Sequence, residues 1–207
     1  MKKWLFQEAT NPTIVTKIID LMALNLIFIL SCLPIITIGA SLTSLYDLTL
    51  KMADPERDYF LVKDYVKSFK KNFIQSTTAM GVLLLIIAIL AGGIQLINLF
   101  GQPSMAITLP FLVIIALFGL GVIYVFPLLA YFENNLSHTF RNALAISFQQ
   151  MAKSILIFSI SLIILILLPL FVRPLWFLWL LMAFSLTAYL QSLILLKIFE
   201  NYAAIKN

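Results

Sequence analysis

Cysteine and histidine are almost absent from this sequence of 207 residues, which holds one of each, Cys32 and His138. A single cysteine excludes a disulfide within the chain, and this pair is too small a set for an ordinary His/Cys metal site. Zinc-protease His-Glu-x-x-His motifs, phosphate-binding Gly-x4-Gly-Lys loops and Ser-His-Asp arrangements are also missing. The sequence therefore predicts a protein that is not an enzyme and that uses no metal or cofactor.

Charged residues are scarce as well, at 11% of the chain, whereas hydrophobic residues make up 62%. Soluble domains average about 25% and about 45–50%, so a soluble fold is excluded. The formal net charge is +5, but apolar sequence flanks every basic stretch, which excludes a nucleic-acid surface. We expect residues 1–207 to form a single integral membrane domain.

Apolar runs place the membrane segments. Residues 12–33 and 40–52 read as two helices around a structural break at Pro34 and Gly39, because proline removes a backbone donor and glycine admits bends. Further spans are expected at residues 78–100, 107–132 with a kink at Pro127, 154–171 and 174–196. Residues 60–74 and 136–151 alternate apolar and polar faces at helical spacing. The predicted fold is an all-α, polytopic helical membrane protein with five to six membrane segments plus two amphipathic interfacial helices.

The distribution of Lys and Arg favours one topology. If residues 12–52 cross the membrane once, the 14 basic residues divide ten to four between the two sides. If that region forms a hairpin, all 14 except Arg173 fall on one side. The positive-inside rule favours the hairpin, with six segments and both termini cytoplasmic. A five-span protein with an external N-terminus is the alternative.

Carboxylates inside membrane segments are the sharpest functional candidates, because an ionisable group in the bilayer is costly and usually paired or functional. Asp47 lies on the short polar second helix, and Glu133 lies at the end of the 107–132 span. If they face one another beside Tyr46 and Tyr131, the four residues form a polar membrane site. The alternative is that each carboxylate lies near the headgroups and pairs with a nearby lysine or arginine.

The basic amphipathic segments also have two interpretations. Each can lie on the inner leaflet, where its lysines attract anionic lipids, or each can dock a cytosolic partner as importer permeases dock their ATPases. Neither basic loop contains the Glu-Ala-Ala signature typical of such permeases. We therefore favour membrane lipids as the partner.

Three segments carry a family resemblance: LPIITIGAS (residues 33–41), FKKNF (69–73) and FPLLAYFEN (126–134). Together they resemble the YesL-like family of bacterial integral membrane proteins, a family without an established activity. The linker at residues 53–59 departs from the family pattern, since it has Pro55 and no glycine. The resemblance implies a multi-pass protein of the bacterial plasma membrane near carbohydrate uptake systems, with sugar ABC-transporter components as candidate partners. We expect a noncatalytic accessory or scaffold protein. The alternative is a small transporter or permease-like subunit with a polar site around the second helix.

Overall fold

The computed structural model describes residues 14–99, 105–132, 135–171 and 176–206, and every regular element in these ranges is helical. The all-α class is therefore confirmed for the described residues. The elements are α1 (Ile14–Cys32), a 3-10 turn (Ile35–Thr37), α2 (Ile38–Ala53), α3 (Leu61–Leu99), α4 (Met105–Tyr131), α5 (Leu136–Gln149), α6 (Met151–Ser161), a π-helical segment (Leu162–Leu167), α7 (Leu168–Phe171) and α8 (Trp176–Lys206).

Within the described ranges, four helices are long and apolar enough to cross a membrane: Ile14–Cys32, Leu61–Gln95, Met151–Phe171 and Trp179–Tyr202. A shorter apolar helix occupies Ile115–Tyr131. Large apolar side chains such as Leu85 on α3 and Phe171 on α7 are exposed on the outside of the bundle. These are the features of a helical membrane protein, since only lipid can cover so much outward apolar surface.

Residues 14–53 fold as a helical hairpin. Pro34 has an extended backbone, with φ −77° and ψ 120°, and it ends the run of helical residues after α1. Across the hairpin, the Tyr59 hydroxyl donates to Asp20 Oδ2 at 2.8 Å. Asp20 lies about 18 Å before the end of α1, and α2 is about 24 Å long. Only a reversal of direction between α1 and α2 brings these two residues together.

The predicted break differs from the structure at Gly39. Gly39 lies within the first turn of α2, where a Cβ atom would collide with the backbone carbonyl of Ser76 on α3. Its role is therefore to allow close contact between two helices and not to bend the chain. Pro127 lies inside α4, as the predicted 107–132 span requires, and the kink there stays a prediction.

One helix, α3, replaces two predicted elements. The expected interfacial helix at 60–74 and the expected span at 78–100 were wrong as separate units, because α3 runs unbroken through 39 residues. No proline interrupts it, and the Thr78 hydroxyl donates to the backbone carbonyl of Ile74, one turn back, at 2.8 Å. The helix α3 is about 58 Å long, whereas the hydrocarbon core of a membrane is about 30 Å thick. The apolar half of α3 can therefore cross the core by itself, and the basic N-terminal half extends outside it. The segment predicted as the second amphipathic helix forms a separate helix, α5.

Asn25 connects α1 to α8 from a fully buried position. Its Nδ2 donates to Leu180 O at 2.8 Å, and its Oδ1 accepts from the backbone N–H of Phe184 at 3.1 Å and of Ser185 at 3.2 Å. In an uninterrupted α-helix the Phe184 N–H would bond to Leu180 O. The Asn25 amide bonds to both groups of that pair and ties the hairpin to the C-terminal helix.

Candidate functional site

A polar cleft lies between α2, α3 and the end of α4, with a volume of about 390 Å³. Its α2 and α3 walls are polar, and its α4 wall is mainly apolar. The side chains that line it are Asp47, Lys51, Asp64, Lys67, Ser68, Lys71, Asn72, Gln75, Leu129, Ala130 and Phe132. We refer to this site as the polar cleft.

Lys51 is the centre of charge pairing in the polar cleft. Its Nζ lies 3.1 Å from Asp47 Oδ2 and 3.9 Å from Asp64 Oδ2, and all three side chains are about four-fifths buried. Asp64 Oδ2 also accepts from the backbone N–H of Phe60 at 3.0 Å, which satisfies a donor just before α3. The two carboxylates thus share the charge of Lys51, and Asp64 additionally caps a helix.

The helix register sets the position of the polar cleft. Gly39 of α2 contacts Ser76 of α3, and Lys51 of α2 pairs with Asp64 of α3. The two contacts are therefore twelve residues apart along α2 and also twelve residues apart along α3. Two antiparallel helices with matched spacing therefore run side by side over residues 64–76 of α3. The cleft lies along this segment, just before the apolar residues of α3 that begin at Ala79.

The four residues of the predicted membrane site have different surroundings. Asp47 lines the polar cleft and pairs with Lys51, which is the pairing that the alternative interpretation expected. Tyr46 lies on another face of α2 and donates to Gln191 Oε1 at 2.6 Å. The Tyr131 ring packs against Phe199, with 5.2 Å between ring centroids. Glu133 lies outside the described residues, so its pairing with Asp47 stays a prediction.

Gln191 is an interior polar residue that sequence reasoning missed. It is 1% exposed, accepts the Tyr46 hydroxyl, and donates through Nε2 to Ile157 O at 3.1 Å and to Ser161 Oγ at 2.5 Å. An amide within an apolar span was the available signal, because such a group needs partners in the membrane. Gln191 joins α2, α6 and α8. All buried side-chain nitrogen and oxygen atoms in the described ranges have hydrogen-bond partners, so this network is closed.

Tyr59 and Asp20 form a second polar contact, at the base of the hairpin. Burial raises the pKa of the Tyr59 hydroxyl above its ordinary value, and the neighbouring Asp20 carboxylate raises it further. The phenol therefore keeps its proton at neutral pH and serves as the donor to Asp20. The described part of the chain contains no cluster of three His, Cys, Asp or Glu side chains arranged to hold a metal ion.

Residues 21–94 match the model of a protein family described as a protein of unknown function, DUF624. The matched segment begins within α1 and includes all of α2 and most of α3, and with them the α2 and α3 walls of the polar cleft. No curated protein and no solved structure matches the chain. The family match is consistent with the YesL-like resemblance, and it carries no activity to this chain.

Proposed function

We propose that the protein is a noncatalytic accessory or scaffold protein of the bacterial plasma membrane, associated with carbohydrate uptake. The position of the polar cleft supports a role at one membrane face. The cleft lies beside the basic half of α3 and ends where the apolar half begins, so its charged groups are at the end of the membrane helices. A surface of this kind suits a partner that approaches from one side.

We propose a topology of six membrane segments with both termini in the cytoplasm. The reversal between α1 and α2 supports it, because the start of α1 and the linker after α2 then lie on the same side. That side also holds the lysines of α3, and basic segments stay in the cytoplasm under the positive-inside rule. The polar cleft would accordingly face the cytoplasm.

The link to carbohydrate uptake rests on the family resemblance, which points to sugar ABC-transporter components as partners. The lysines of α3 offer a matched test. Lys67 and Lys70 are both exposed and lie on the same helix, but of the two only Lys67 lines the polar cleft. We expect mild crosslinking in producing cells to copurify a transporter component with the unmodified protein and with Lys70→Glu. Lys67→Glu should reduce its recovery severalfold.

Two outcomes would contradict the accessory role. A solitary protein after crosslinking, in cells grown on several sugars, would remove the proposed partner. Equal losses for Lys67→Glu and Lys70→Glu would show that general charge, and not the polar cleft, governs recovery. Circular dichroism of both purified variants serves as the control for folding.

A small transporter is the second candidate, and the volume of the polar cleft is the observation that favours it. A space of about 390 Å³ beside Asp47 is within the range of small-molecule sites. Solute flux into reconstituted vesicles is the test, with Asp47→Asn as the variant. Absence of flux with the unmodified protein, or unaltered flux with Asp47→Asn, would exclude this candidate.

A further inference from the structure

We propose that α5 lies along the membrane surface, with Phe148 and the adjoining Met151 of α6 inserted between the lipid chains of one leaflet. Phe148 is 54% exposed and Met151 is 45% exposed, so the bundle leaves both large apolar side chains uncovered. The partner that fits this face is a phospholipid leaflet. The proposal concerns the surface of α5 alone, and it depends neither on a transporter partner nor on the polar cleft.

The bundle contacts α5 on its other side. Ala143 and Ile146 are each 1% exposed and belong to the apolar core of the protein. The Tyr202 hydroxyl of α8 donates to Asn142 Oδ1 at 3.2 Å. Because these contacts fix the rotation of α5 about its axis, the Phe148 side chain stays on the side away from the core.

The exposed apolar face at Phe148 continues into a membrane-spanning segment. Met151–Phe171 is long and apolar enough to cross a membrane, and its large exposed side chains begin with Met151 and Ile155. Gln150 has φ −116° and ψ 42°, which is not helical, so α5 is a separate helix from this span. With 14 residues α5 is about 21 Å long, too short to cross a core of about 30 Å. Lipid that covers the start of α6 therefore also reaches Phe148.

The composition of α5 favours an apolar contact with lipid over an electrostatic one. Arg141 is the only lysine or arginine in α5, and α5 contains no acidic residue. Gln149 is exposed, and it points about 100° away from Phe148 around the helix. An amphipathic helix in the interface buries its apolar face about 5–10 Å deep, at the boundary of headgroups and acyl chains. The contact should therefore form without anionic lipid, unlike the lysine contacts expected from the sequence.

Full-length protein reconstituted in phospholipid vesicles allows this contact to be measured. With Cys32 replaced, an environment-sensitive fluorophore would be attached to Phe148→Cys and, as the matched control, to Gln149→Cys. Met151→Cys and Arg141→Cys form a second pair, since both positions are exposed. A nitroxide on the lipid acyl chain quenches from within the membrane, whereas iodide quenches from the water. The vesicles contain phosphatidylcholine alone or a mixture with phosphatidylglycerol.

We expect the nitroxide to quench the probes at positions 148 and 151 severalfold more strongly than those at 149 and 141, and iodide to give the reverse order. Both lipid compositions should give the same result. Iodide quenching at all four positions would place α5 outside the membrane and overturn the proposal. Protection of positions 148 and 151 from both quenchers would overturn it too, because protein would then cover the face. Nitroxide quenching confined to vesicles with phosphatidylglycerol would show an electrostatic contact instead.

Discussion

Gly39 shows how a single missing side chain determines the distance between two helices. Gly39 has a helical backbone conformation, so its role depends on the space left by the missing Cβ atom. That space admits the carbonyl of Ser76, and one turn later Thr43 Oγ1 lies 2.7 Å from Ser76 Oγ. Small residues that allow close backbone approach are the usual basis of helix association in membranes.

We predict that Gly39→Ala destabilises the protein. Overpacking usually costs about 1–3 kcal/mol, and the higher helix propensity of alanine offsets up to about 1 kcal/mol of that cost. The collision is with backbone on α3, so the two helices must move apart. Reversible unfolding in mixed micelles would measure the change. Gly81→Ala is the control, since a Cβ there meets no atom within 4 Å. A Gly39→Ala protein as stable as the Gly81→Ala protein would show that the close contact is unimportant.

At the scale of elements, the π-helical segment between α6 and α7 ends at a proline. At its end the N–H of Leu168 bonds to Ile163 O, five residues back. The next bond in that pattern would join residue 169 to Ile164 O, but Pro169 has no N–H. The indole Nε1 of Trp179 on α8 donates to Ile164 O at 2.8 Å instead. A side chain of α8 thus satisfies the carbonyl that the proline leaves free.

We predict that Trp179→Phe lowers stability by about 0.6–1.7 kcal/mol, the range for hydrogen bonds between membrane helices, and that this cost falls when Pro169→Ala is present. An alanine at 169 supplies the missing N–H, so the indole is no longer needed. Unfolding of the single and double variants would give the coupling energy. Trp176→Phe, which removes a bond to Pro169 O, is the control and should cost the same in both backgrounds. Additive costs for Trp179→Phe and Pro169→Ala would contradict this account.

The whole molecule depends on the return of the chain at residues 33–37. Thr37 Oγ1 lies 2.6 Å from both Ser31 O and Pro34 O, so its hydroxyl holds this turn together. The reversal places α1 and α2 in one apolar cluster with α8, in which Leu24 and Leu48 are fully buried. A single crossing over residues 12–52 would separate these side chains and break the Asp20–Tyr59 contact.

We predict that Lys3 and Asp58 lie on the same side of the membrane and Arg173 on the other. With Cys32 replaced, single cysteines at these three positions would be treated with an impermeant maleimide in intact cells. Labelling is expected at position 173 only, and at positions 3 and 58 after permeabilisation. A cysteine at position 3 that labels in intact cells while one at position 58 does not would contradict the hairpin and restore the five-span alternative.

The sequence by itself determined the all-α membrane class, because lipid-exposed surface requires apolar residues at almost every position of a span. It also located the turn at Pro34, since proline acts on its own backbone. It did not reveal that α3 is continuous. The composition changes from amphipathic to apolar along α3, and such a change shows that the surroundings of the helix differ but not whether the helix is interrupted. Nor did it separate Tyr46 from Asp47, which are neighbours in sequence.

Only the tertiary structure decided the partners of these side chains. Consecutive helical residues point about 100° apart, so Tyr46 reaches Gln191 on α8 whereas Asp47 pairs with Lys51 in the polar cleft. Apolar faces toward protein and toward lipid have the same composition, so helix neighbours cannot be assigned from one sequence. Packing contacts such as Gly39 against Ser76 fix the register between helices, and that register assembles the polar cleft.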